Sequence, residues 1–189
     1  FQKDPSVLFV GTGSDGIRSN VIVGKGVYKS KNAGSSWEFV GLENTGQIGA
    51  VKIHPENPDT VYVAAIGQAF QPNSERGLYK TTDGGKTWES VLFISDKIGI
   101  VDFEFSPENP DILYAASWEV DRKPWTIISG SKAGVIYKSM DAGKSWIKLS
   151  EVLPTGNIGK IDLAVTPADP NRLYALIEAD LGQGGIYVS

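Results

Sequence analysis

The sequence holds no cysteine, one histidine and one methionine among 189 residues. Without cysteine there are no disulfides, thiolate zinc sites or cysteine nucleophiles. The lone His54, set before Pro55, argues for neither a transition-metal site nor a serine-type triad. No run of about 18 apolar residues exists that could span a membrane as a helix, and no ten-residue stretch carries the i, i+3, i+4 apolar spacing of an amphipathic helix. The 18 Lys and Arg are scattered against 22 Asp and Glu, for a net charge of −4. The basic stripe of a nucleic-acid binder is therefore missing. No cofactor is expected, because the one G-x-G-x-x-G string, Gly11-Thr12-Gly13-Ser14-Asp15-Gly16, leads into no helical segment. No leader with a basic and then an apolar region precedes the first strand, so any secretion signal is expected to have been removed or to lie outside these residues.

What the chain has is a repeat. Tyr28-Lys29-Ser30-Lys31-Asn32-Ala33-Gly34-Ser35-Ser36-Trp37 recurs as Tyr79-Lys80-Thr81-Thr82-Asp83-Gly84-Gly85-Lys86-Thr87-Trp88 and as Tyr137-Lys138-Ser139-Met140-Asp141-Ala142-Gly143-Lys144-Ser145-Trp146, and a fourth copy opens at Tyr187. The tyrosines stand 51, 58 and 50 residues apart, a period of solenoids and propellers. In phase with them run Asp4-Pro5, Asn57-Pro58, Asn109-Pro110 and Asp169-Pro170, each followed four residues after the proline by an aromatic in a β-branched run. Asx-Pro opens a turn and the run behind it reads as a strand. Ile48-Gly49, Ile98-Gly99 and Ile158-Gly159 introduce a further apolar segment ahead of three of these turns.

Each unit is thus four short strands, A at Ile-Gly, B after Asx-Pro, C at the tyrosine and D from the tryptophan. The predicted fold is all-β, a propeller of four-stranded antiparallel blades. Residues 1–47 make a partial blade of strands B, C and D, 48–97 and 98–157 make whole blades, and 158–189 make a partial blade of strands A, B and C. About three and a half blades and 14 strands are expected, an arc whose remaining blades belong to a longer chain or to partner chains.

The recurring string lies on the C–D turn, where Asp83, Asp141 and Asn32 can accept bonds from their own turn. Gly34, Gly85 and Gly143 supply a conformation that a Cβ opposes, and Trp37, Trp88 and Trp146 wedge a ring beneath the hairpin. A motif used once per blade cannot form one active site, so these residues read as structure. The three strings resemble the Asp-box, or BNR, repeat of sialidases, xyloglucanases and sortilin-type propellers. The wider spelling, with His54-Pro55-Glu56-Asn57-Pro58-Asp59, resembles large bacterial BNR proteins often described as glycosyl hydrolases. The resemblance implies either a module binding a protein, peptide or glycan through its B–C loop face or its central channel, or a xyloglucanase-like glycoside hydrolase acting on polysaccharide, in an extracellular, cell-surface or periplasmic setting. The Arg-Ile-Pro signature of the sialidase branch is absent.

A meandering blade places A–B and C–D turns on one face and B–C connections on the other. The B–C segments, Gly13 to Lys25, Ile66 to Arg76, Trp118 to Gly134 and Glu178 to Gly184, differ from unit to unit, and variable loops on a constant scaffold are where binding resides. Trp118, Glu119, Asp121, Arg122 and Trp125 are the leading ligand candidates: a Trp platform beside charges stacks on a sugar or grips a peptide side chain. The bland alternative is that Trp118 caps the blade core and Trp125 packs on its own loop. Arg18, Gln68, Asn73, Glu75 and Arg76 are secondary candidates. Glycoside hydrolysis needs paired carboxylates, and Asp102 and Asp162 occupy matched strand-A positions as the weak catalytic candidates; the alternative is that they bond neighbouring backbone.

Overall fold

β-Branched and aromatic segments closed by Asx-Pro and glycine turns give a chain built of antiparallel strands. The computed structural model describes residues 1–18, 20–151 and 153–189. The first sheet is β1 (Leu8–Gly11), β2 (Val27–Ser30) and β3 (Glu38–Phe39), and the second is β4 (Gln47–Ile53), β5 (Val61–Gly67), β6 (Gly77–Thr81) and β7 (Glu89–Leu92). The third contains β8 (Ile98–Phe105), β9 (Leu113–Lys123), β10 (Thr126–Ser129), β11 (Ile136–Ser139) and β12 (Ile147–Leu149). The fourth is β13 (Ile158–Thr166), β14 (Asp169–Ala179) and β15 (Gly185–Val188). The only helix among the described residues is a 3-10 turn at Glu43–Thr45. The all-β propeller arc expected from the repeat is the fold.

Details differ from expectation. The outermost strands begin one residue after each tryptophan. The segment from Trp118 to Gly134 is not a plain loop: β9 runs on to Lys123, turns through Pro124 and Trp125, and returns as β10 in register Thr126↔Lys123 to Ser129↔Val120. This fifteenth strand follows from alternation, with Trp118 and Val120 buried and Glu119 and Asp121 half-exposed, continued by the β-branched Thr126, Ile127 and Ile128. Its charges and proline masked that period. In the last sheet Asp169-Pro170 sits inside β14, because Thr166 pairs with Asp169 in a tight turn.

The sheets stack face on face. Phe9, Val27 and Val40 meet Ile48, Val63 and Tyr79 between the first two. Tyr62, Ala64 and Leu78 meet Phe103, Leu113 and Ala115 between the second and third, and Ala116, Trp118 and Ile136 meet Ile161, Leu163 and Leu173 between the third and fourth. Strand β5 is buried along its whole length because both its faces are covered. At about 1.5–3 kcal/mol per fully buried large apolar side chain, these layers dominate stability. The Ile-Gly motif marks where the inner ends converge: a Cβ on Gly49 would stand 2.1 Å from the Val101 carbonyl, and one on Gly99 would stand 2.2 Å from that of Ile66.

Candidate functional site

The Asp-box turns form one face. Asp83 Oδ1 accepts from the amides of Lys86 (2.9 Å) and Thr87 (3.0 Å) and from the Thr81 hydroxyl (2.7 Å), and its Oδ2 accepts from the Thr87 hydroxyl (2.6 Å). Asp141 repeats this with Ser145 and Ser139. Asn32 keeps the acceptor role toward Ser36 N and donates its amide to Ser36 Oγ. The box amides of Ala33, Gly84 and Ala142 donate to the carbonyls of Ser6, Asp59 and Asp111, so each box is tied to its own Asx-Pro turn. Both turns therefore share a face, and both oxygens of each box aspartate are engaged.

Hydroxyl and amide donors, those of Thr87 first, hold the Asp83 carboxyl well below the ordinary aspartate range. The Ser145 hydroxyl and amide bring Asp141 down to about 2 from 3.8. A depressed folded value means that this contribution to stability is present above the ordinary value and lost as pH falls through the folded one. Urea midpoints are accordingly expected to fall between about pH 4 and about pH 2, and to fall less in an Asp83→Asn/Asp141→Asn chain, whose boxes then resemble the non-titrating Asn32 box. Equal acid sensitivity of the two chains would refute the assignment.

The tryptophans do more than wedge their own hairpin. Trp88 Nε1 donates to the Val40 carbonyl (2.6 Å) and Trp146 Nε1 to that of Val91 (2.8 Å), each on the preceding sheet. In the other direction Lys29 Nζ donates to Gly84 O (3.2 Å), and Lys80 Nζ (3.0 Å) and Tyr62 Oη (2.9 Å) donate to Ala142 O. The box is a lock between blades, a role its local spelling does not reveal.

Along the inner strands, Asp102 Oδ2 accepts from the Leu163 amide of the next sheet (2.8 Å). Lys52 Nζ lies 3.6 Å from Asp102 Oδ1 and 2.7 Å from Glu104 Oε1. Burial raises the Glu104 carboxyl, and Lys52 opposes that rise. Asp162 is half-exposed, with Lys160 Nζ 3.4 Å away. The matched aspartates thus have unlike surroundings, one bonded to neighbouring backbone and one open.

The B–C face gathers the remaining candidates. Arg76 is 2% exposed, and its guanidinium donates to the carbonyls of Ile66 (2.9 Å), Gln68 (2.7 Å) and Gln71 (3.4 Å). Desolvation lowers its pKa, against the fields of Asp96, Asp121 and Glu119. Gln68 N donates to Asn73 Oδ1 (3.1 Å), and Asn73 Nδ2 donates to the Asn44 carbonyl (3.3 Å) and to Glu75 Oε2 (3.4 Å), so these three residues brace the same loop. Trp118 is buried and donates to Ser129 Oγ (3.1 Å), which donates to Glu178 (2.7 Å). Glu119 and Asp121 line a cleft of about 240 Å³ with Arg76, Lys97 and Ile128. Asp121 Oδ2 is 2.8 Å from Lys123 Nζ.

Trp125 stands at the tip of the β9–β10 hairpin, 82% exposed, over a cleft of about 340 Å³ lined by Ile17, Arg18, Arg122, Pro124 and Ile127. Arg122 fixes that tip: its guanidinium donates to the carbonyls of Arg18, Lys123 and Thr126, and its amide donates to Ala69 O (2.7 Å). Two participants escaped the sequence reading. Ile17 leaves the first sheet's loop to join the buried cluster of Ile66, Ala69, Trp118 and Val120, and Lys160 of the last sheet lies 3.9 Å from Asp15. Residues 13–18 therefore reach across the face toward the third and fourth sheets; Ile17, with the Val21-Ile22-Val23 run that follows it, was the signal in the sequence.

Comparison with solved structures bears on the fold. The chain superposes on the GH74 xyloglucanase from Xanthomonas campestris with a TM-score of 0.71 at 18% identity, covering 98% of this chain and 27% of that one. An ancestral GH74 enzyme gives 0.62 at 21% identity, covering 97% and 22%, and the Niastella koreensis GH74 enzyme gives 0.62 at 23%, covering 91% and 23%. The chain thus spans about a quarter or less of these enzymes, and the likeness is one of fold. None of the curated proteins matches it by sequence, and no helix among the described residues is long and apolar enough to cross a membrane. A family profile described as Sortilin-Vps10, "Sortilin, neurotensin receptor 3", matches residues 25–183; covered by it over most of its length, the chain belongs to the Sortilin-Vps10 family of propeller proteins.

Proposed function

We propose that the chain is a binding module that captures a glycan or peptide on its B–C face, with Trp125 as the stacking platform and Arg18 and Arg122 beside it. The observation that carries this is the exposure of Trp125 on a clamped hairpin, whereas Trp118, Trp88 and Trp146 are each at least partly buried and bonded. A rigid, exposed aromatic over a cleft costs little entropy to present, and aromatic and arginine side chains dominate interface energetics. The proposed setting is extracellular, cell-surface or periplasmic, with further blades in a longer chain or in partner chains.

Screening glycan and peptide arrays, then titrating the hits, tests the reading. Trp125→Ala is expected to weaken capture by about tenfold or more while leaving the thermal midpoint unchanged, since an exposed tip contributes little to stability. Unchanged affinity would sink it. The hydrolase alternative draws on the GH74 fold likeness and needs two carboxylates in concert. Reducing-sugar release abolished by Asp102→Asn and by Asp162→Asn would favour it over capture.

A further inference from the structure

The cleft beneath Trp125 has a one-sided chemistry. Its charged lining is Arg18 and Arg122, its walls are Ile17, Pro124 and Ile127, and no carboxylate or amide side chain lines it among the described residues. The acids close by in sequence are turned elsewhere. Asp121 pairs with Lys123 at 2.8 Å and lines the other cleft together with its cross-strand partner Ile128, while Asp15 stands 3.9 Å from Lys160 Nζ. Neither cleft arginine meets a carboxylate among the described residues. In a chain of net charge −4 this is a local concentration of positive charge. The hairpin's own acceptors are drawn on as well. Arg122 Nε donates to the Arg18 carbonyl (3.1 Å) and Nη1 to those of Lys123 and Thr126, which leaves Nη2 with no acceptor among the described residues. Guanidinium and indole N–H groups therefore face a space whose one side-chain acceptor is the Thr126 hydroxyl.

We propose that this cleft takes an acidic sugar: the Trp125 indole stacks on the apolar face of a pyranose ring, and Arg18 and Arg122 Nη2 hold the carboxylate that the ring bears. The proposal rests on the reading of Trp125 as the capture platform and names the ligand class for it. A carboxylate only accepts, so it answers a wall of donors without bringing donors of its own, and its two oxygens match the planar guanidinium fork. A neutral sugar fits less well, because its hydroxyls also donate and find few acceptors here. An acidic peptide carries the same anion but adds backbone N–H groups, which the cleft would desolvate without a partner.

The test titrates the chain by calorimetry with trimers of galacturonate and of glucuronate, with their methyl esters, and with hexaglutamate. At least one acid trimer is expected to saturate one-to-one, to bind about tenfold or more above its ester, and to weaken as salt rises from about 20 to about 500 mM. Arg18→Gln should lower the affinity for the acid about tenfold while leaving that for the ester, and the thermal midpoint, unchanged; a merely structural arginine would move both affinities together. Equal affinity of acid and ester, no saturation by either acid at about 10 mM, or hexaglutamate binding as tightly as the acid overturns the sugar class. So does a sulfated trimer that binds more tightly than the acid. Each of these leaves the platform standing if Trp125→Ala still abolishes capture of some other array ligand. Acid binding that survives Trp125→Ala intact instead removes the platform, and this proposal with it.

Discussion

Replacing Trp88 by alanine is expected to lower the free energy of unfolding by about 3 kcal/mol, while Trp37→Ala, at the same place in the first box, changes it by no more than about 0.5 kcal/mol. The two residues share one sequence motif and differ only in neighbours. Trp88 is partly buried, packs beside Val40 and Val63, and gives its indole proton to the Val40 carbonyl at 2.6 Å. Alanine there opens a cavity between sheets and leaves that carbonyl without its donor; the cavity accounts for most of the loss and the bond for about 1 kcal/mol. Trp37 is 43% exposed, and its indole meets no acceptor on another sheet among the described residues. Urea denaturation reads the contrast as a midpoint shift on the order of 1 M for the first variant and almost none for the second. Equal losses would mean that the tryptophan stabilises its own hairpin, and the lock between blades would fall.

The blade plan was legible because its signals are local and periodic: Asx-Pro turns, Ile-Gly at the crowded inner ends, and a glycine in each box at positive φ. The lock was not, because its partners lie about one repeat away. Nothing near Lys80 in sequence announces the Ala142 carbonyl, and nothing near Asp102 announces the Leu163 amide. At the candidate site, composition singled out a segment but could not separate its exposed residues from its buried ones. Trp118 and Trp125 lie seven residues apart in one segment; strand alternation turns the first inward, and the Pro124 turn carries the second outward. Arg76, a secondary ligand candidate in the sequence, is among the most buried side chains.

That burial makes Arg76→Ala the second large effect, with an expected loss of about 3–4 kcal/mol in stability together with weakened ligand capture. The planar guanidinium reaches the Ile66, Gln68 and Gln71 carbonyls at once; removing it strands the buried Ile66 carbonyl at about 1–3 kcal/mol, frees two part-buried carbonyls at less, and leaves a cavity where a large buried side chain stood. Lysine cannot replace it, because one ammonium on a flexible stem does not span a fork of acceptors, so Arg76→Lys is expected to recover less than half of the loss. The effect on capture follows from the chain of contacts. The segment that Arg76 holds carries Ala69, whose carbonyl receives the Arg122 amide at 2.7 Å, and Arg122 in turn fixes the tip that presents Trp125. Loosening the loop therefore loosens the platform, so Arg76→Ala should damage stability and capture together, where Trp125→Ala damages capture alone. Denaturation and ligand titration on the same two variants separate the roles. If Arg76→Ala kept its stability and lost only capture, the arginine would be a ligand contact, and the clamp assigned to it here would be wrong.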